Sequence, residues 1–223
     1  MYRYVKRMLD LIMAVVIMIV FLFPMIIIGI LIKLDSKGPI FFKQERTGKN
    51  GKIFLLYKFR SMAVDNDVHD FSKGDQHTRI GTILRKLSLD ELPQIINILK
   101  GEMSFIGPRP WIPDYYENMN EHQRHRNDVT PGITGLAQAM GRNNISIISK
   151  INYDLEYVQN FSLKQDIKVF FLTIKTVLSK EGADAGKNTI QNELETLKTQ
   201  ELKVSDIKEL ERRLDQKEAK QHA

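Results

Sequence analysis

Two adjacent carboxylates stand near the middle of this chain, in Arg85-Lys-Leu-Ser88-Leu-Asp90-Glu91-Leu-Pro93-Gln. A carboxylate can attack as a nucleophile, hold a divalent cation or exchange a proton. The same residues have a plainer use. Ser88-x-x-Glu91 fits a helix capping box, and acidic residues are ordinary in a first helical turn. Pro93 fits there too, because the first amides of a helix have no intrahelical acceptor. In the chemical reading, the helix N-terminus and Arg85 both lower the Asp90 pKa, while Arg85 faces a phosphate. Arg109 is a second candidate for an anion. It lies between prolines in Gly107-Pro108-Arg109-Pro110, so its backbone has little freedom and its guanidinium could be pre-set for bidentate contact. A rigid loop with a solvated arginine is the plainer alternative. Gly141-Arg142-Asn143 follows a Gly-rich turn, Thr130-Pro131-Gly132-Ile-Thr-Gly135, and could touch a nucleotide. His122 and His125 read as surface residues, since no spacing here makes a zinc site. There is no cysteine, so neither disulfides nor thiolate chemistry is available.

The surrounding pattern predicts a mostly helical α/β chain. Ile40 to Phe42 and Ile53 to Tyr57 are short apolar runs separated by Thr47-Gly-Lys-Asn-Gly51, which predicts a β-hairpin. Residues 63–77 are polar and aperiodic, a surface loop. Arg79 to Leu87 forms a short helix with Ile80, Ile83, Leu84 and Leu87 on one face. The helix after Asp90-Glu91 ends near Gly101. Residues 114–126 read as a polar helix. Leu163 to Leu178 recurs at three and four residues with lysines between, an amphipathic basic helix that either packs on the core or lies in a membrane interface. Beyond Gly186, leucines and isoleucines in Lys/Glu-rich sequence predict one or two amphipathic helices for partner contact or self-association.

Leu11 to Ile32 is a run of 22 residues without a charge, roughly 33 Å as a continuous helix and about one bilayer core. It is too long for the apolar region of a secretory signal, and no small-x-small site follows. Pro24 stands just past its middle. Arg3, Lys6 and Arg7 precede it, and Lys33 and Lys37 follow. A spanning helix usually has an asymmetric basic flank. Two basic flanks also suit a helix that enters the bilayer, bends at Phe23-Pro24 and returns to the same face; both readings remain open on these residues. Residues 1–60 hold 11 Lys/Arg against 3 Asp/Glu, whereas the last 38 residues hold 8 of each. The basic excess thus surrounds the apolar run, where anionic inner-leaflet lipids would lie, and no nucleic-acid-binding motif accompanies it.

Six motifs in order carry a resemblance. They are Gly38-Pro39-Ile-Phe41 with Gln44-x-Arg46-x-Gly48, Lys58-Phe-Arg60-Ser-Met62, and Leu84-Arg85-x-x-Ser88-Leu-Asp90-Glu91-Leu-Pro93-Gln94. Gly107-Pro-Arg109-Pro110, Pro131-Gly-Ile-Thr-Gly135 with Gln138, and Gly141-Arg142-Asn143 complete the set. Residues 1 to about 180 resemble the bacterial sugar transferases that are monotopic phosphoglycosyl transferases, in their short form. The resemblance implies transfer of a sugar 1-phosphate from a UDP-sugar to undecaprenyl phosphate, with release of UMP, at the cytoplasmic face of the bacterial inner membrane. It implies a re-entrant helix over 1–37 broken at Phe23-Pro24 and a catalytic domain over 38–185; the tail over 186–223 lies beyond the resemblance and is expected to serve self-association or contact with downstream glycosyltransferases. It implies Asp90 as nucleophile, and Glu91 as its partner in Mg²⁺ coordination or in assisting the acceptor. Arg85, Arg109, Arg142, Lys58 and Arg60 would contact substrate phosphates. One departure is visible: many members carry Asp-Pro-Arg where this chain has Asp75-Gln76-His77.

Overall fold

The structure, a computed structural model, describes residues 1–63, 77–141, 145–178, 190 and 192–199. The expected loop over 63–77 falls almost wholly outside these, as do Arg142, Asn143 and most of the tail.

Helix α1 runs over Tyr2–Asp35. Helix assignment continues through Pro24, so the expected break does not divide it into two helices. A proline removes one backbone hydrogen bond, and the bonds on either side of that point keep the helix in register. One stripe of α1 faces the protein: Lys6, Asp10, Ala14, Ile28, Gly29 and Ile32 are buried. Most of the rest of the apolar run is exposed, from Met8 to Leu34. Both ends of α1 are fastened to the same domain. At its start, Lys6 Nζ bonds Asp166 at 2.6 Å, and Tyr2 donates to the same carboxylate. Arg7 caps the carbonyls of Ile98 and Leu99, and Asp10 accepts from Ser104 Oγ at 3.0 Å. At its end, Asp35 Oδ2 accepts from the amide of Ile80 at 3.0 Å.

The hairpin forms between β1 (Phe41–Thr47) and β2 (Ile53–Phe59), antiparallel, with Phe41 opposite Phe59 and Thr47 opposite Ile53. It is longer than its apolar runs predict, because pairing with β2 carries the polar Lys43-Gln-Glu-Arg46 into the ladder. Helix α2 spans Arg79–Lys86, capped by the Thr78 hydroxyl on Gly81 N. It buries Leu84 against α1 and β2 but leaves Ile83 and Leu87 exposed. A 3₁₀ turn, Leu89–Glu91, leads into α3 (Gln94–Lys100), which Gly101 ends at φ 84°.

A parallel pair was not expected. β3 (Ser104–Ile106) lies beside β4 (Gly132–Thr134), Ser104 opposite Gly132. Strands of three residues are too short to show alternation. Their glycines make the close approach possible: a Cβ on Gly132 would stand 2.1 Å from Gly107 N. The expected helix over 114–126 divides into α4 (Pro113–Glu117) and α5 (Glu121–Arg124), because Asn120 starts a new helix with a capping box to Gln123. Helices α6 (Leu136–Gly141), α7 (Ile147–Gln159) and α8 (Leu163–Leu178) follow. α8 buries Gln165, Asp166 and Val169, whereas Leu163, Ile167, Phe170, Phe171, Ile174 and Val177 face outward.

The tail is corrected where it is described. A helix over 192–199 packs on its own chain: Leu197 is fully buried and Leu194 lies beside it, against Trp111, Tyr115, Ile147 and Ile151. These apolar positions therefore fill an intramolecular face instead of waiting for a partner.

Candidate active site

Three elements bring the charged groups together. Antiparallel pairing puts Gln44, Arg46 and Lys58 on one face of the hairpin, since paired residues share a face and alternate residues repeat it. The 3₁₀ turn between α2 and α3 supplies Asp90 and Glu91. The loop after β3 supplies Arg109. Asn97, on α3 and fully buried, fixes the first two elements to each other. It accepts from Tyr57 N at 3.1 Å and donates to Leu55 O at 2.7 Å, spanning β2 beside Lys58.

The capping box expected at Ser88 does not form. Ser88 takes a left-handed backbone (φ 56°, ψ 20°), and its side chain caps nothing. Such a conformation costs a non-glycine residue about 1 kcal/mol or more and tends to occur at functional turns. It turns the chain sharply out of α2 and sets the two carboxylates at the mouth of α3.

Glu91 is the more tightly held of the two. Lys58 Nζ lies 2.7 Å and Arg109 Nη2 3.3 Å from its Oε1. Burial pushes its pKa up, but Arg109 and Lys58 outweigh this and hold it down at about 2. Asp90 differs. Its Oδ2 is 4.0 Å from Lys58 Nζ, an ion pair without a hydrogen bond. Burial, countered by Lys58 and reinforced by Glu91, raises its pKa above the ordinary 3.8. The lowered Asp90 pKa expected from the helix end and Arg85 is thus reversed, because desolvation exceeds both attractions. Arg85 does lower the Asp90 pKa through space, but its Nη1 lies 3.2 Å from His77 Nε2.

Glu91 and Arg109 line a cleft of about 610 Å³ together with Gln44, Arg46, Trp111 and Gln138. Asp90 stands beside Glu91 and is not part of that lining. Arg46 reaches Gln44 Oε1 at 2.6 Å and Pro110 O at 3.3 Å. Burial, with the positive Arg109 close by, lowers its pKa to about 10. Arg46, Lys58 and Arg109 thus face the two carboxylates, with Arg85 acting on Asp90 through space, an excess of positive charge suited to a diphosphate.

Two expectations change at this level. Arg60 does not join the carboxylates. It is 5% exposed and donates to Ser36 O, Ser36 Oγ and Lys37 O, capping the C-terminal end of α1. Arg126 was not anticipated. It is buried, bonds Asp154 Oδ2 through Nε and Nη2 at 2.9 and 2.7 Å, and lies 3.9 Å from the Trp111 ring centre. Its Nη2 also donates to Arg109 O at 2.7 Å, so it positions the loop that carries Arg109. Only the Arg46 motif left a trace of the unanticipated residues in sequence. Arg126 and Asp154 lie in separate helical stretches with nothing local to join them.

Asp90 and Glu91 fit Mg²⁺, which proteins hold with one or two carboxylates plus substrate phosphates and waters. Among the described residues, no group of three or more His, Cys, Asp or Glu side chains comes together.

A carboxylate pair under a cationic cover is an arrangement suited to binding phosphate groups, and it lies in the same chain as a long apolar helix. The sequence model of the bacterial sugar transferase family matches residues 1–180. The chain belongs to that family. It is 43% identical over 187 residues to an uncharacterized sugar transferase of Bacillus subtilis, covering 79% of this chain and 89% of the relative. It is 41% identical over 194 residues to the UDP-N-acetylgalactosamine-undecaprenyl-phosphate N-acetylgalactosaminephosphotransferase of Aeromonas hydrophila, covering 82% of this chain and 45% of that protein. It is 40% identical over 191 residues to the UDP-glucose:undecaprenyl-phosphate glucose-1-phosphate transferase of Xanthomonas campestris, covering 80% and 40%. The chain thus spans less than half the length of these last two relatives.

Proposed function

We propose that the protein transfers a sugar 1-phosphate from a UDP-sugar to undecaprenyl phosphate, releasing UMP and forming a polyprenyl-diphosphate-sugar. This product would begin assembly of a capsule, exopolysaccharide or glycoconjugate. The carrying observation is the unequal carboxylate pair. Glu91 binds Lys58 and Arg109 through Oε1, so that oxygen is engaged and the group's basicity is low. Asp90 has Lys58 Nζ no nearer than 4.0 Å and is the more basic group. Of the two, Asp90 is the better nucleophile.

In the first step an Asp90 carboxylate oxygen attacks the sugar-linked phosphorus. The bond to the bridging oxygen breaks, UMP leaves with that electron pair, and an aspartyl phosphosugar remains. In the second step a phosphate oxygen of undecaprenyl phosphate attacks the same phosphorus and Asp90 leaves as a carboxylate. Splitting the transfer makes two displacements of one difficult one. Arg109 and Lys58 neutralise phosphate oxygens as charge develops. Mg²⁺, when bound by Asp90 or Glu91, would add charge neutralisation on the donor diphosphate.

The fastening of α1 supports a membrane arrangement for the chain. A helix whose two ends are both fastened to one domain supports a segment that dips into the inner leaflet and returns, with the domain on the cytoplasmic face. The outward apolar face of α8 would lie in the same interface. An apolar groove of about 470 Å³ between the second half of α1 and β1, bordered by Phe41 and Phe59, would take part of the polyprenyl tail.

Intact-mass measurement of the enzyme incubated with UDP-sugar and no acceptor tests the covalent step. A mass increase of one sugar phosphate, absent in Asp90→Asn, is expected. Lipid-dependent turnover with no adduct on any time scale would instead indicate direct transfer, with both carboxylates serving only the metal.

A further inference from the structure

The family match ends at residue 180, yet the cleft is lined beyond it. Ile190 and Glu193 form part of the wall, alongside Ile147 and Lys150 of α7, in the same cleft as Glu91 and Arg109. The helix over 192–199 is seated there by its own sequence. Leu194 and Leu197, three residues apart, lie on one helix face and enter the cluster of Trp111, Tyr115, Met119 and Ile151. Glu193 adds a polar lock. Its Oε1 takes Lys150 Nζ at 2.9 Å, and its Oε2 takes the hydroxyl of Tyr115. Lys150 and Glu193 are 19% and 14% exposed, so this is a largely desolvated pair.

The lock changes what this part of the cleft can bind. The Lys150 charge is cancelled inside the wall, whereas Arg46 and Arg109 leave the other part positive. A neutral, hydrogen-bonding stretch near the tilted Trp111 and Tyr115 rings, 5.0 Å apart, suits a polyhydroxylated ring better than a phosphate. The names of the relatives point the same way. Those of Aeromonas hydrophila and Xanthomonas campestris share undecaprenyl phosphate and a UDP-linked donor but differ in sugar. A wall drawn from outside the shared region belongs beside the part of the donor that varies.

We propose that the 192–199 helix is a wall of the donor cleft, and that Glu193, fixed by Lys150 and Tyr115, determines which sugar of a UDP-sugar the cleft accepts. This rests on the transferase reading above. The test uses the full chain in lipid, as wild type, Glu193→Gln and Leu197→Asp. The kcat/KM is measured for UDP-glucose, UDP-galactose and their N-acetylated amino counterparts, and Kd is measured for UMP. Trp111 is the single tryptophan and touches the seat of Leu197, so its emission reports whether the helix is docked.

The ratio of kcat/KM between the best and second-best donors should shift by about tenfold in both variants, while UMP affinity stays within about twofold. Leu197→Asp should also red-shift Trp111 emission. Unchanged ratios in a folded Leu197→Asp protein with red-shifted emission would overturn the proposal. So would a loss of UMP affinity that parallels the loss for every donor. If Leu197→Asp fails to fold, Glu193→Gln decides alone: wild-type emission with a shifted ratio supports the proposal, and an unshifted ratio overturns it. No wild-type turnover with any donor would overturn the transferase reading and this inference together. Turnover with unshifted ratios overturns the inference alone.

Discussion

Asp90 and Glu91 are neighbours in sequence, yet Lys58 and Arg109 make them chemically different. Asp90 is ionised at a cost, because burial outweighs the attraction of Lys58. Asp90→Asn should therefore abolish transfer while raising the Tm by about 1–3 °C, the direction expected when a desolvated charge is removed from a site built for function. Thermal melting of the two proteins in lipid checks this. Glu91 has the opposite sign. Its folded pKa, about 2, lies below the ordinary 4.5, so its charge contributes stability above pH 4.5 that is lost as pH falls through 2. In metal-free buffer, Glu91→Gln should be less stable than wild type near pH 6 by about 1–3 kcal/mol, because Lys58 and Arg109 lose the carboxylate they share. The gap should close as both are taken toward pH 2. An equal gap at all pH values would contradict the assignment. The carboxylate pair itself was legible in sequence, and so was Arg109 between its prolines. Their inequality was not, since it depends on a lysine more than thirty positions upstream and on burial that no local pattern reports.

Elements were legible where their periodicity is long. α8 and the α3 segment up to Gly101 follow apolar spacing, and the hairpin follows its turn. The β3–β4 pair escaped notice because contact between distant glycines, not strand propensity, defines it. Arg126 shows the same limit: it joins α7, through Asp154, to the loop carrying Arg109. Asp154→Ala would leave a buried guanidinium unpaired and should cost about 3–5 kcal/mol. Because the loop would loosen, UDP-sugar KM should rise in the fraction that remains folded; denaturant melts and steady-state kinetics measure the two effects. α1 offers a test at the same scale. The attachments at Tyr2, Lys6 and Asp35 fasten both ends of α1 to the rest of the chain, and the proposed re-entrant arrangement puts both flanks on one side of the bilayer. Cysteines introduced near residues 3 and 37 should both react with a cytoplasmic reagent in wild type. Pro24→Leu, which restores the missing backbone bond, should shift the segment toward spanning and lower activity. Unchanged same-side flanks in the variant would refute the role given to Pro24.

Among the described residues, the outer sides of α1 and α8 are extended apolar surfaces. Phe171 is 64% exposed and Leu178 77% exposed. Full burial of a phenylalanine side chain contributes about 1.5–3 kcal/mol. Replacing Phe170 and Phe171 by serine should therefore weaken binding to anionic vesicles by roughly tenfold or more, with little change in UMP release from detergent-solubilised enzyme. Cosedimentation reports the first and a coupled assay the second. At this scale the apolar run and the basic flanks were plain in sequence. The intramolecular role of the 192–199 helix was not, because its leucine spacing fits a partner as well as the chain's own core.

The most direct measurement is UMP release from a panel of UDP-sugars with Mg²⁺, with and without undecaprenyl phosphate, for wild type and Asp90→Asn. Multiple turnover with one preferred donor, dependent on the lipid and absent in Asp90→Asn, is the predicted result. Turnover that survives in Asp90→Asn, or that ignores the lipid, would contradict the central claim.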